Sequence, residues 1–195
     1  MTLNETRATQ KHTEVIQNFE LLLEDGIANQ TMSDIASTLK VSLRTLYEIA
    51  PSKEELIIST IDRILTNIAK EALHSIKEME SSIDKLKTFN KICNEAAGPR
   101  IQKFAVDLSK VKGANEMIKN HEIAYIEHIK KLLDDAVDNH EIGGIDTQAV
   151  AIMLGTVARV FTKKNHQSKL AESATESANM ISDLIITGLV KQYDN

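Results

Sequence analysis

The sequence predicts an all-α protein, on three observations. Only two prolines and seven glycines interrupt 195 residues. Apolar side chains recur three and four positions apart over long stretches, with little of the strict alternation a strand needs. Leu, Ile, Ala, Lys and Glu dominate, and most of these residue types favour helices. Nine helices are expected, three short ones followed by six longer ones.

The first helix is expected from about Ala8 to Glu24. Val15, Phe19 and Leu22 share a face, with Ile16 and Leu23 beside it, and Gly26 supplies the stop. A short helix starts after Thr31, where Thr-Met-Ser-Asp has the spacing of an N-cap box. It carries Met32, Ile35, Ala36 and Leu39. After a turn at Lys40 and Val41, Ser42 caps a third helix from Leu43 to about Ile49, which Pro51 ends. Ser52 and Glu55 form a second box and open a long helix from Lys53 to about Met79. Its stripe comprises Leu56, Ile57, Ile61, Ile64, Leu65, Ile68, Ala72, Leu73 and Ile76.

Further helices are expected over about Ile83–Ala97, ended by Gly98-Pro99, then over Pro99–Val111, ended by Gly113, and over Ala114–Asn139. Gly143 and Gly144 break the chain. The last two helices cover about Asp146–Lys164 and Ser168–Gln192.

Bulk properties narrow the function. The net charge is −5, so the field of the whole chain does not attract nucleic acid or an anionic membrane. The single cysteine, Cys93, allows no intrachain disulfide and no cysteine-rich metal cluster. The first residues lack the apolar core of a secretory signal, and no apolar run is long enough to span a bilayer. These features fit a cytoplasmic protein with no membrane association and no cofactor.

Two short helices joined by a tight turn bury little by themselves. They need a third helix behind them, and the first helix provides it. In such a unit the second short helix presents its N-terminal residues to a DNA major groove. Ile35, Ala36, Val41 and Leu46 clamp the pair, leaving Ser42, Leu43, Arg44, Thr45, Tyr47 and Glu48 outward. The segment resembles the DNA-binding motif of the TetR family of bacterial regulators. It supplies Thr31, Ile35-Ala36, Val41-Ser42, Thr45-Leu46-Tyr47 and Ser52-Lys53-Glu54-Glu55-Leu56 at the family's spacing, with Gly26 where the family has a glycine.

The resemblance implies a fold and a site. Residues 1–52 would form a helix-turn-helix DNA-binding domain, and residues 53–195 a six-helix effector-binding and dimerisation domain. Thr31 and Ser33 would cap the helix crossing the DNA backbone and touch phosphate. Tyr47 and Lys53 would contact phosphate, Lys53 aided by the positive end of its helix. Arg44 would bridge two guanine acceptors, with Leu43 and Thr45 against a thymine methyl. Three positions depart from the family pattern: Lys40 replaces a small residue, Ala50 a large aromatic and Glu48 a basic or aromatic one. Residues 1–53 hold five Lys/Arg against seven Asp/Glu, so a monomer would bind DNA weakly and with strong salt dependence. Glu48 would accept from a cytosine amino group or reject wrong sites.

The two final helices are the expected homodimer surface. Val150, Met153, Leu154, Val157 and Phe161 line one, Met180, Ile181, Leu184, Ile185 and Leu189 the other. Small residues at Gly155, Ala158 and Gly188 permit close approach, and two such pairs would make a four-helix bundle. Ile68, Phe89, Cys93, Phe104, Met117 and Tyr125 are the candidates for contact with a small-molecule effector. Four Phe, three Tyr and no Trp disfavour an aromatic cage and fit an aliphatic or acyl ligand. The function implied is a ligand-responsive regulator, a repressor that binds a near-palindromic double-stranded DNA operator as a dimer and is released by its effector.

Two other readings use the same residues. A TetR-like protein with weakened DNA binding would act through a protein partner. A helical-bundle enzyme or metal protein would use His121 and His128, seven apart around Tyr125, but this spacing lacks the Glu-x-x-His pattern of bundle metal sites. Cys93, among Phe89 and Ile92, reads as a small buried apolar residue rather than a nucleophile.

Overall fold

The computed structural model describes residues 3–161, 166 and 169–193. Eight helices are found among them: α1 (Leu3–Asp25), α2 (Met32–Thr38), α3 (Leu43–Ile49), α4 (Lys53–Ser75), α5 (Ser82–Leu108), α6 (Ala114–Asp138), α7 (Thr147–Phe161) and α8 (Ala174–Tyr193). No described residue lies in a strand. The all-α class is as the periodicity predicts.

The expected break at Gly98-Pro99 does not occur. Helix α5 runs through both residues, with Pro99 inside it, so five helices rather than six follow the third among the described residues. Proline removes one helical hydrogen bond, from its own position to the carbonyl of Glu95. Glu95 and Pro99 are both exposed, while Phe104 further along is fully buried. On this exposed face water can satisfy the carbonyl that loses its bond, so the proline does not force the helix to end. The expected end of the seventh helix at Lys164 and the start of the last at Ser168 lie outside the described residues. Helix α8 begins at Ala174, behind a capping box: the Ser173 amide and hydroxyl donate to Glu176 Oε2 at 3.1 and 2.6 Å, and the Glu176 amide donates to Ser173 Oγ at 3.2 Å.

The chain divides into two compact units. Residues 1–64 and 103–118 form one, residues 65–102 and 119–195 the other, so the boundary falls inside α4, α5 and α6. In the first unit Phe19, Leu23, Ile27, Ile35, Leu46, Leu56, Ile57, Ile61 and Phe104 are fully buried. Leu23, not Leu22, completes the buried row on α1. In the second unit the core includes Leu86, Phe89, Ile129, Leu133, Leu154 and Ile186. Each such side chain contributes about 1.5–3 kcal/mol.

Two helices end on a residue other than glycine in the left-handed conformation. Lys40 has φ 55° and His140 φ 58°. After α2, the Val41 amide donates to Ala36 O at 3.0 Å and the Lys40 amide to Ser37 O at 3.1 Å. After α6, Glu141 donates to Ala136 O at 2.9 Å and His140 to Val137 O at 3.1 Å. Both are Schellman closures. His140, ahead of the Gly143-Gly144 pair, therefore stops α6.

Candidate nucleic-acid interface

Helices α2 and α3 are seven residues each, too short to persist alone. Their ends are fixed by side chains. Thr31 and Asp34 form a reciprocal capping box: Asp34 Oδ2 accepts from the Thr31 amide at 2.8 Å and its hydroxyl at 2.6 Å, and the Asp34 amide donates to Thr31 Oγ1 at 3.2 Å. These hydrogen bonds hold the Asp34 carboxyl below its usual range. Ser42 Oγ accepts from the Thr45 amide at 3.0 Å and lies 2.8 Å from the Thr45 hydroxyl. The left-handed turn at Lys40 links the pair, and it explains why the family pattern has a small residue there.

The outward set is largely as expected. Ser33, Ser42, Leu43, Arg44, Tyr47 and Glu48 are exposed and Thr45 is partly so. The Arg44 side chain is 89% accessible, and its Nε donates to Glu48 Oε1 at 3.0 Å, one helical turn on. Such an exposed pair is worth about 0.3–0.5 kcal/mol, so it yields readily to a stronger acceptor. Glu48 thus occupies Arg44 while no DNA is bound. Other acids of this region are also engaged: Glu20 with Arg63 and Glu24 with Lys103. Ala50 is buried as the C-cap of α3, its amide donating to Leu46 O at 3.0 Å.

Lys53 departs from its expected role. Its ammonium donates to the backbone carbonyls of Ile27 at 2.7 Å, Ala28 at 3.2 Å and Gln30 at 2.7 Å. An ammonium has three N–H donors, and all three are used. None remains for a phosphate. The motif identifies the residue but not its partners, because those carbonyls lie in a loop more than twenty positions away.

The six effector candidates do not gather in one place. Ile68, Phe89, Cys93 and Tyr125 belong to the second unit, whereas Phe104 and Met117 lie in the first, buried in its core. Phe89 stacks on Tyr125, ring centroids 5.6 Å apart, and meets His128 at 4.4 Å. The Tyr125 hydroxyl donates to Asn90 Oδ1. Burial pushes the Cys93 thiol up to about 12, so it is a poor nucleophile. Burial also lowers the pKa of His128, with the Lys131 charge adding to it and Asp135 opposing. Asn90 and Asn94, missed in the sequence, are buried, and Asn94 Nδ2 donates to Asn179 Oδ1 at 3.1 Å. Among the described residues no three His, Cys, Asp or Glu side chains meet as a metal requires.

Helices α7 and α8 pack on each other. Leu154 is fully buried within the chain and cannot serve an outer surface, a correction to the expected set. Met153, Met180 and Leu184 are exposed, the last two at 55% and 64%, and Ile152 and Val160 join them. Val150, Val157, Phe161, Ile181, Ile185 and Leu189 are half-buried. Gly155 also has an internal role: a Cβ there would collide with Ile126 of α6. Gly188 faces open space, and the Ala158 side chain lies outside the described residues.

Residues 19–60 match the model of a family described as bacterial regulatory proteins, tetR family. No curated protein matches the chain by sequence. Among solved structures, a TetR transcription regulator from Haloarcula marismortui is similar over 93% of this chain and 98% of its own, with 14% identity and a TM-score of 0.78. The fatty acid degradation regulator FadR from Bacillus halodurans is similar over 92% of this chain and 96% of its own, with 16% identity and a TM-score of 0.72. A Clostridium perfringens protein described as a fatty acid metabolism regulator covers 91% of this chain and 98% of its own, with 21% identity and a TM-score of 0.64. The two comparisons agree: residues 19–60 carry a helix-turn-helix similar to that of the tetR family of bacterial regulatory proteins, and the chain shares the all-helical fold of a solved TetR transcription regulator.

Proposed function

We propose that this protein is a ligand-responsive repressor that binds a near-palindromic operator as a homodimer. The single observation that carries the reading is the outward face of α3: Leu43, Arg44, Tyr47 and Glu48 exposed on a helix whose own ends and inner face are fully engaged. Arg44 reads a guanine edge after leaving Glu48. Ser33, Tyr47 and the Thr31 end of α2 position the backbone, and Leu43 and Thr45 meet thymine methyls. Residues 1–52 carry the reading function. The remainder binds the effector and forms the dimer, with residues 103–118 serving as support for the reading helices.

The exposed apolar residues of α7 and α8 support dimerisation through a four-helix bundle. The effector is a small molecule of aliphatic or acyl type, held near Ile68, Phe89, Cys93 and Tyr125. Support comes from the low aromatic content and from two similar structures described as regulators of fatty acid metabolism. The effector acts by preferring the conformation that does not fit DNA, and lowers operator affinity by that preference.

The test is selection of duplexes from fragmented genomic DNA of the source organism by the purified protein, followed by titration of the recovered site. Arg44→Ala is expected to cost about 1–3 kcal/mol and relax specificity at one base pair. Absence of any duplex binding at low salt, with Arg44→Ala indistinguishable from wild type, rejects the reading.

A further inference from the structure

We infer that Lys53 and Asp107 are positioning residues that together clamp the loop leading into helix α2, so that Lys53 supports DNA reading without touching DNA. This inference rests on the DNA-reading function proposed above. The loop is residues 26–30. It begins at Gly26, with φ 88°, and ends at the Thr31 cap of α2. Lys53, at the first turn of α4, takes three carbonyls of this loop, those of Ile27, Ala28 and Gln30. Asp107, in the last turn of α5, takes the loop's amide at Ile27: the N–H donates to Asp107 Oδ2 at 3.3 Å. Ile27 itself is fully buried, which fixes the same residue from its side chain.

The chemistry of Asp107 argues for positioning rather than stability. The residue is only 3% exposed, and its Oδ1 is buried with no hydrogen-bond partner among the described residues. A buried carboxylate with one oxygen unsatisfied is an expensive way to stabilise a fold. What it does provide is a definite acceptor at one backbone amide. Together the ammonium and the carboxylate hold a loop without regular structure at four backbone groups, immediately before a seven-residue helix. A helix that short has no stiffness beyond its first turns, so its entry point sets where α2 and α3 lie.

Motif position and geometry make opposite predictions for Lys53. A lysine on phosphate contributes a released counterion, so its removal flattens the salt dependence by about one unit of log K against log salt. A positioning lysine does not. The probe is a duplex selected by the wild-type protein from a random-sequence library. Lys53→Met is expected to weaken binding about tenfold or more with an unchanged salt slope. Lys53→Arg is expected not to restore it, because a planar guanidinium cannot address three converging carbonyls, although it is a good phosphate ligand. Asp107→Leu is expected to weaken binding similarly, and Asp107→Asn, which keeps an acceptor oxygen, to restore most of it. A shallower slope in Lys53→Met, with recovery in Lys53→Arg, overturns the inference.

Amide hydrogen exchange of the wild-type protein without DNA supplies the arm that needs no variant. The Ile27 amide is expected to exchange far more slowly than the amide of the exposed Asn29, and to lose that protection in Asp107→Leu but not in Asp107→Asn. Fast exchange at Ile27 in the wild type overturns the clamp. If the library yields no bound duplex, the DNA-reading function fails while the exchange measurement still decides whether the clamp exists.

Discussion

Helices α2 and α3 hold seven residues each and secure their ends with named polar groups: Thr31 with Asp34, Ser42 with Thr45, Lys53 with the preceding loop. In the other unit, the part of α6 from residue 119 onward and α7 belong to helices of 25 and 15 residues and meet where Gly155 lets Ile126 approach its backbone. The short helices cannot persist on backbone hydrogen bonds, so they depend on caps and loop contacts. The long helices depend on the fit of side chains along their length. Polar substitutions should therefore injure the first unit locally, and volume changes should injure the second over a wider area.

The largest expected effect breaks the apolar face of α7 and α8. Leu184→Glu places a charge on the most exposed of its large side chains and should convert the proposed dimer to monomer in sedimentation. Loss of paired half-site binding should then lower operator affinity about 100-fold or more. A surviving dimer would move the interface elsewhere. Next in size is Gly155→Ala. Its methyl meets Ile126, and overpacking of this kind costs about 1–3 kcal/mol, measurable by urea denaturation. No loss of stability would mean that α6 and α7 separate more freely than their packing suggests.

A third test uses the polar device found in the second unit. Glu141, from the segment after α6, caps α5: its carboxylate accepts from the Ser82 amide at 2.6 Å, the Ile83 amide at 3.1 Å and the Ser81 hydroxyl. Burial alone would raise its pKa, but the Ser81 hydroxyl and the two amides outweigh this and hold it below 4.5. Glu141→Ala should cost about 0.5–2 kcal/mol at neutral pH. Because the folded value is depressed, this contribution is complete above the unfolded pKa and disappears as pH falls through the folded one. The variant should therefore lose less stability than wild type on acidification below 4.5. The smallest effect has the opposite sign: Lys40→Gly relieves a left-handed residue and should stabilise by about 1 kcal/mol in thermal unfolding.

The parts legible in the sequence were those whose signals are local. Capping residues at Thr31, Ser42 and Ser52 announce helix starts because cap and amide lie three positions apart. The Ser173–Glu176 box is equally local, and it sets the start of the last helix at Ala174 rather than Ser168. The outward face of α3 followed from its period and one buried leucine, Leu46. Gly98-Pro99 predicts a stop because its local preference is real, but the helix continues through it on an exposed turn, which the local signal does not reveal.

By itself the sequence determined the all-α class, the helix-turn-helix and its outward residues, since period and cap spacing are properties of neighbours along the chain. Tertiary structure alone decided what Lys53 holds, whether Leu154 and Gly155 face inward, and which effector candidates share a unit. Each of those depends on partners tens of residues away, and a short motif or an amphipathic stripe carries the residue type without its distant partner. A three-donor ammonium can bond phosphate or carbonyl oxygens, and only the fold brought the carbonyls to it.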